Sequence, residues 1–173
     1  MKRSLNIDYI FNSTDHRPWP LPKEKWVFRQ TWSELAFIHW EIKEEELRKH
    51  IPPTIEIDKF EGKSYVGVVP FNMTGVTKRG YPAPKWLSDF PEINVRTYVK
   101  CNNKPGVLFF SLDVPNQIAV LIGRIQFHLP YFKAKMPVKT QNDTTYYSHK
   151  RNNVEFEAVY TPKGRLHCEK DSF

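Results

Sequence analysis

Between Glu92 and Cys101 the chain reads EINVRTYVKC, and apolar and polar residues alternate through it. Side chains on an extended strand point to opposite faces with period two. Val95, Thr97, Val99 and Cys101 therefore share one face. Glu92, Asn94, Arg96, Tyr98 and Lys100 share the other. A helix would mix the two sets, so this segment is a strand that separates a greasy side from a polar one. The 14 prolines against 7 glycines point the same way, toward short elements and rigid loops rather than a helical bundle.

The remaining elements follow from the same rules. Aromatic and β-branched residues predict a strand over 31–41. KEEELRKHI predicts a short helix, with acids ahead of bases, stopped by Pro52 and Pro53. TIEIDKFEGKSYVGVVPF reads as a hairpin turning at Gly62, and GVLFFSLD as a buried strand joined to EINVRTYVKC through residues 102–106. NQIAVLIGRIQF is a helix capped by Asn116 and stopped at Pro130, with Ile118, Leu121, Ile122 and Ile125 as its buried stripe. TTYYSHKRNNVEFEAVY is a hairpin about Asn152 and Asn153. STDHRPWPLP is an extended arm, and RGYPAPKWLSDFPE a loop long enough to cover something. The sum, about eight strands and two helices, predicts one α+β, mostly β domain over 1–173. Its expected form is a curled antiparallel sheet or β-barrel with few short helices.

Charge and motif content narrow the function classes. The net charge is +7, with a lysine-rich stretch over 133–151 that reads as a solvated face. Two cysteines make no disulfide framework, and the opening MKRSLNIDYIF has no signal-peptide core, so a cytoplasmic setting is expected. The longest apolar run, IAVLI, is too short for a membrane span. The six histidines show no metal-ligand spacing, and Ser111 and Asp113 share a strand face with no evident neighbouring base. There is no phosphate loop and no nucleophile elbow. No metal and no cofactor is expected, nucleic acid is not the expected partner, and a homo-oligomer is allowed.

The strings LRKHIPPTIEID, PEINVRTYVKCNNKPG, FFSLD, GRIQFHLPYF and VEFEAVYTPKG fall in a familiar order. In them the sequence resembles the YqjF-like proteins of the acetoacetate decarboxylase-like superfamily. The resemblance implies a cone-shaped, largely antiparallel β-barrel around a ligand cavity. It also implies that the chain stops short of the full family length after YTPKG, leaving sheet edges for another subunit to cover. The decarboxylase itself uses a lysine that forms a Schiff base with a β-keto acid, following a Tyr-Pro pair and beside a second lysine. Here Leu129-Pro130 is followed by Tyr131 and Phe132. Lys133 and Lys135 are displaced along the strand by about 6–7 Å or more, so imine chemistry is not expected of them.

The superfamily's pocket glutamate falls on Glu92. If the polar face of its strand looks inward, the cavity holds Glu92 as an acid or base, with Asn94, Arg96 and Tyr98 as ligand-binding groups. Arg96 would grip an anion through its fork of N–H donors. Arg124 and Tyr131, in the resembling phrase, complete the ligand-binding set, and His128 near the helix end is a second acid–base group. The expected function is binding of a small anionic or carbonyl compound, with catalysis left open. The alternative is a non-catalytic interaction module that uses its basic surface.

Overall fold

The computed structural model describes residues 19–164, together with Asn12 and Thr14. Half of the proline-spaced arm lies outside these residues, as does Cys168. Ten strands and three helices are present among them. In chain order these are β1 (Phe28–Ser33), β2 (Ile38–Ile42), α1 (Glu44–Arg48), β3 (Glu56–Ile57), β4 (Ser64–Lys78), α2 (Lys85–Ser88), β5 (Phe90–Cys101), β6 (Lys104–Val114), α3 (Gln117–Phe127), β7 (Tyr131–Lys133), β8 (Val138–Gln141), β9 (Thr144–Arg151) and β10 (Val154–Tyr160). No described helix is long and apolar enough to cross a membrane.

Seven strands form one curled sheet in the order β1-β4-β5-β6-β7, with β2 beside β4 and β3 beside β5. The other three form a separate sheet, β10-β9-β8. The fold is mostly β, as the alternation predicts, but no closed barrel forms among the described residues. The large sheet is also mixed, because β7 runs parallel to β6.

β4 is the spine. It pairs with β5 along one edge, while β1 and β2 lie end to end along the other. The single strand expected over 31–41 is broken because Glu34 takes a left-handed φ of 46°. Pro70 sits opposite this break. It has no N–H to donate, and its carbonyl accepts from Ala36 N at 3.1 Å. The missing donor thus falls where no strand is present to need it. The expected hairpin at Gly62 is only a tight turn, with Phe60 bridged to Lys63. β3 leaves that turn to pair with Lys100 and Val99 of β5.

Both faces of the large sheet are covered. On one face Leu47 of α1 and Ile51 just beyond it pack against Ile57 and Val99. Farther along that face the small sheet brings Tyr147 onto Ile93, Ala134 and Met136. The opposite face carries Val69, Phe71 and Met73 and curls around a cavity. Helix α3 lies over that cavity, turned differently from the sequence expectation. Val120 and Gly123 are its buried residues, whereas Ile118, Leu121 and Ile125 are 46%, 55% and 67% exposed. Spacing defines an apolar stripe but not what packs on it. Here Gly123 faces the Tyr131 ring of β7, with no room for a β-carbon between them.

Candidate functional site

The cavity measures about 770 Å³. Phe28, Trp32, Met73, Phe90, Phe109 and Leu112 wall it from the sheet, and Ile122 and Phe127 of α3 close one side. The proline-rich loop contributes Tyr81, Pro82, Pro84 and Leu87, so this segment does cover something. Among so many apolar walls the polar groups carry weight, and Glu92 and Asn94 of β5 are two of them.

Glu92 is 2% exposed. Burial pushes its carboxyl up from the usual range to about 8, and the charge of Asp113 adds to the rise. The Tyr131 hydroxyl opposes both, donating to Oε2 of Glu92 at 3.3 Å. Tyr131 in turn is driven well above the ordinary tyrosine range, by its own burial and by the carboxylate beside it. At neutral pH the pair is therefore mostly an uncharged acid beside an uncharged phenol. Asn94 is 1% exposed, and its Oδ1 has no hydrogen-bond partner among the described residues. The wall thus offers one acid proton and one vacant acceptor.

The other expected residues are placed as follows. Arg96 and Tyr98 continue the face of Glu92 and Asn94 but do not line the cavity. The Arg96 guanidinium lies against the rings of Phe37 and Tyr98, at 4.9 Å and 5.7 Å from their centroids. Tyr98 meets His39 of β2, with Oη to Nε2 at 2.6 Å. Arg124 does not enter the cavity. Its Nε donates to the Tyr131 carbonyl at 2.6 Å and its guanidinium lies 5.0 Å from the Phe132 ring, so it ties α3 to β7. His128 is exposed at the C-terminus of α3, with a left-handed φ of 53°, and it also stands outside the lining. It ends the helix there, and a bound molecule in the cavity would not meet it.

Lys133 and Lys135 are exposed and away from the lining. Lys78 does line the cavity mouth, exposed to water with its ammonium 5.4 Å from the Tyr81 ring centroid. A lysine nucleophile requires the unprotonated amine, which desolvation favours, and none of the three is buried.

One cluster escaped the sequence reading. Asp113 of β6 is 1% exposed, and both His149 Nε2 (2.7 Å) and Arg151 Nε (2.6 Å) of β9 reach its Oδ2. Tyr147 on the same strand donates to the Glu92 backbone carbonyl at 2.8 Å. Together they fasten the small sheet behind the cavity wall. The alternation of Tyr147, His149 and Arg151 on one face was a local signal, but its partner lies more than thirty residues away.

Residues 29–173 match the model of family DUF2071, described as an uncharacterized conserved protein. The Bacillus subtilis protein YqjF, itself called uncharacterized, is 39% identical over 156 residues. That alignment covers 88% of this chain and 64% of YqjF, so the chain spans about two-thirds of its curated relative. Acetoacetate decarboxylase from Legionella pneumophila superimposes with a TM-score of 0.65 at 18% identity, over 95% of this chain and 62% of that one. The enduracididine biosynthesis enzyme MppR, solved with pyruvate, gives 0.58 at 14% identity, over 82% and 58%. At these identities the likeness shows the acetoacetate decarboxylase-like fold alone. The match over most of the sequence shows more: the chain belongs to the DUF2071 family.

Proposed function

We propose that the cavity binds a carbonyl compound and that Glu92 moves a proton at it without a covalent lysine intermediate. The observation that carries this reading is the buried Glu92–Tyr131 pair at the wall of a largely apolar cavity. A neutral carboxylic acid donates a hydrogen bond to a carbonyl oxygen. The same group, once ionised, accepts a proton from the adjacent carbon. A carboxyl held near 8 is poised between these roles close to neutral pH. Asn94 Oδ1 stands ready for a donor on the ligand. The fold neighbours support the general class, since MppR was solved with pyruvate, a small keto acid.

The alternative of an interaction module on a basic surface has no geometric support. Lys133, Lys135, Lys139 and Lys150 are exposed, and the Arg151 guanidinium is committed to Asp113.

The test is solvent exchange of ketone α-protons. The protein is incubated with 2-butanone or acetoacetate in deuterated buffer and followed by NMR. Exchange faster than in buffer is expected, slowed by about 100-fold in Glu92→Gln. Borohydride treatment in the presence of acetoacetate is expected to leave every lysine unmodified. Absence of both binding and exchange with either ketone would sink the reading, and a mass adduct on Lys78, Lys133 or Lys135 would overturn its non-covalent part.

A further inference from the structure

Four residues along β5 from Glu92, on the same face but outside the cavity lining, lies a second group of side chains. Arg96 is 8% exposed. Among the described residues its one hydrogen bond runs from Nη2 to the Tyr98 hydroxyl, at a long 3.5 Å, and its Nε has no partner there. No carboxylate among the described residues pairs with it. We propose that Arg96, with Phe37, His39 and Tyr98 around it, is a binding site for an organic monocarboxylate.

The first argument concerns the cost of the arrangement. A guanidinium is always charged and presents five N–H donors with no acceptor of its own. Removing it from water without a counter-charge is expensive. Contact with the Phe37 and Tyr98 rings offsets part of that cost. Aromatic rings do not fill the in-plane positions where N–H donors seek oxygen. A carboxylate does, because two oxygens in a plane match the guanidinium fork.

The second argument selects the class of anion. One permanent positive charge stands here. Among the described residues the titratable groups recorded against it are His39 of β2 and Tyr98 of β5, and Gly67 of β4 lies opposite it. His39 is held below the ordinary histidine range, first by burial and then by the Arg96 charge. A second cation is thus disfavoured, and a monoanion balances the site where a phosphate dianion would not. The room is narrow as well. A β-carbon on Gly67 would come within 3.3 Å of the His39 ring and 3.5 Å of Arg96 Cγ. The Phe37 ring, half exposed and parallel to His39 at 6.4 Å, offers a surface for the organic body of the acid. None of this depends on what Glu92 does in the cavity.

The experiment uses the full chain with ¹⁵N-labelled arginine and histidine, titrated with sodium benzoate and separately with sodium phosphate at fixed ionic strength. Benzoate is expected to shift the Arg96 Nε–H resonance saturably in the millimolar range. Neutralising Arg96 is expected to raise the titration midpoint of His39 at the same time. Arg96→Lys keeps a charge but loses the fork, and is expected to weaken benzoate by about tenfold or more. An Arg96 signal unmoved at about 50 mM benzoate, a regime of only a few kcal/mol, would overturn the proposal. So would tighter binding of phosphate than of benzoate, or equal benzoate affinity in Arg96→Lys. The wild-type titration decides the matter even where the variant fails to fold.

Discussion

A β-carbon placed on Gly123 of α3 would lie 2.2 Å from Cδ2 of Tyr131. The glycine lets the helix press flat against the ring that holds Glu92. Gly123→Ala must push the ring, the helix or both aside. It is expected to cost about 1–3 kcal/mol, the usual penalty for overfilling a packed site. Gly106→Ala is the control, since its β-carbon would meet nothing within 4 Å. That change is expected to stay within about 0.5 kcal/mol. Urea midpoints of the two variants check the contrast.

Glu92 makes stability depend on pH. Its folded pKa, about 8, lies above the ordinary value of 4.5. The unfolded chain therefore releases this proton first, and between these two values the folded state holds more protons. Stability from this group is complete below about 4.5 and is lost as pH rises toward 8. The full displacement corresponds to about 5 kcal/mol at most. Glu92→Gln removes the proton and keeps the shape. The variant is expected to gain on wild type steadily from pH 5 to pH 8, in the regime of about 1.4 kcal/mol per pH unit. A constant difference across that range would contradict the assignment.

Tyr131→Phe probes the same pair from its other side. The hydroxyl donates to Glu92 and favours its ionised form. Without it burial acts unopposed, and the Glu92 titration is expected to move further up. Carbon-13 NMR of the glutamate carboxyls reads this directly, and a downward movement would show that the hydroxyl plays another part.

What was legible in the sequence was local. The period-two pattern of EINVRTYVKC put Glu92 and Asn94 together on one face, and the structure places both on the cavity wall. Asn116 caps α3 as its residue type suggests, with Oδ1 accepting from Ile118 N and Ala119 N. The same pattern could not say where the cavity ends, so Arg96 and Tyr98 keep their face but fall outside the lining. It could not orient α3 either, because an apolar stripe carries no record of its neighbour. Arg124 looked like a ligand group, yet its nearest acceptor is a backbone carbonyl seven residues on. The break at Glu34 rests on a backbone angle with no strong residue signature, and the parallel β6–β7 pair needs a crossover that no short motif announces.

The cap offers a further check. Asn116 also donates Nδ2 to the Trp86 carbonyl at 2.8 Å, joining the start of α3 to the loop over the cavity. Asn116→Ala loses both contacts. Loss of the cap alone is worth about 1 kcal/mol. The expected result is that loss together with faster amide exchange in α2, whereas Asn116→Asp restores the cap but not the donor to Trp86. If Asn116→Asp protects α2 as well as wild type does, the tie to the loop has no weight.

Asp113 holds the small sheet to the large one through a single oxygen. Oδ2 accepts from His149 and Arg151, while Oδ1 is buried without a partner. Replacing Asp113 by Asn takes the counter-charge from Arg151 and the carboxylate acceptor from His149. His149 then stays buried, and Arg151 keeps only the Phe132 ring, 4.4 Å from its guanidinium. Breaking a fully buried pair by removing one partner costs about 3–5 kcal/mol, and the 27% exposure of the Arg151 side chain puts the expected cost toward the lower end. The cost falls on one junction. Amide exchange is expected to accelerate along β8–β10 first, while β5 behind α1 and its Leu47–Val99 core stays protected. Uniform loss of protection, or a change below about 1 kcal/mol, would mean that the Tyr147 contact and the apolar packing around Ile93 fasten the sheets without Asp113.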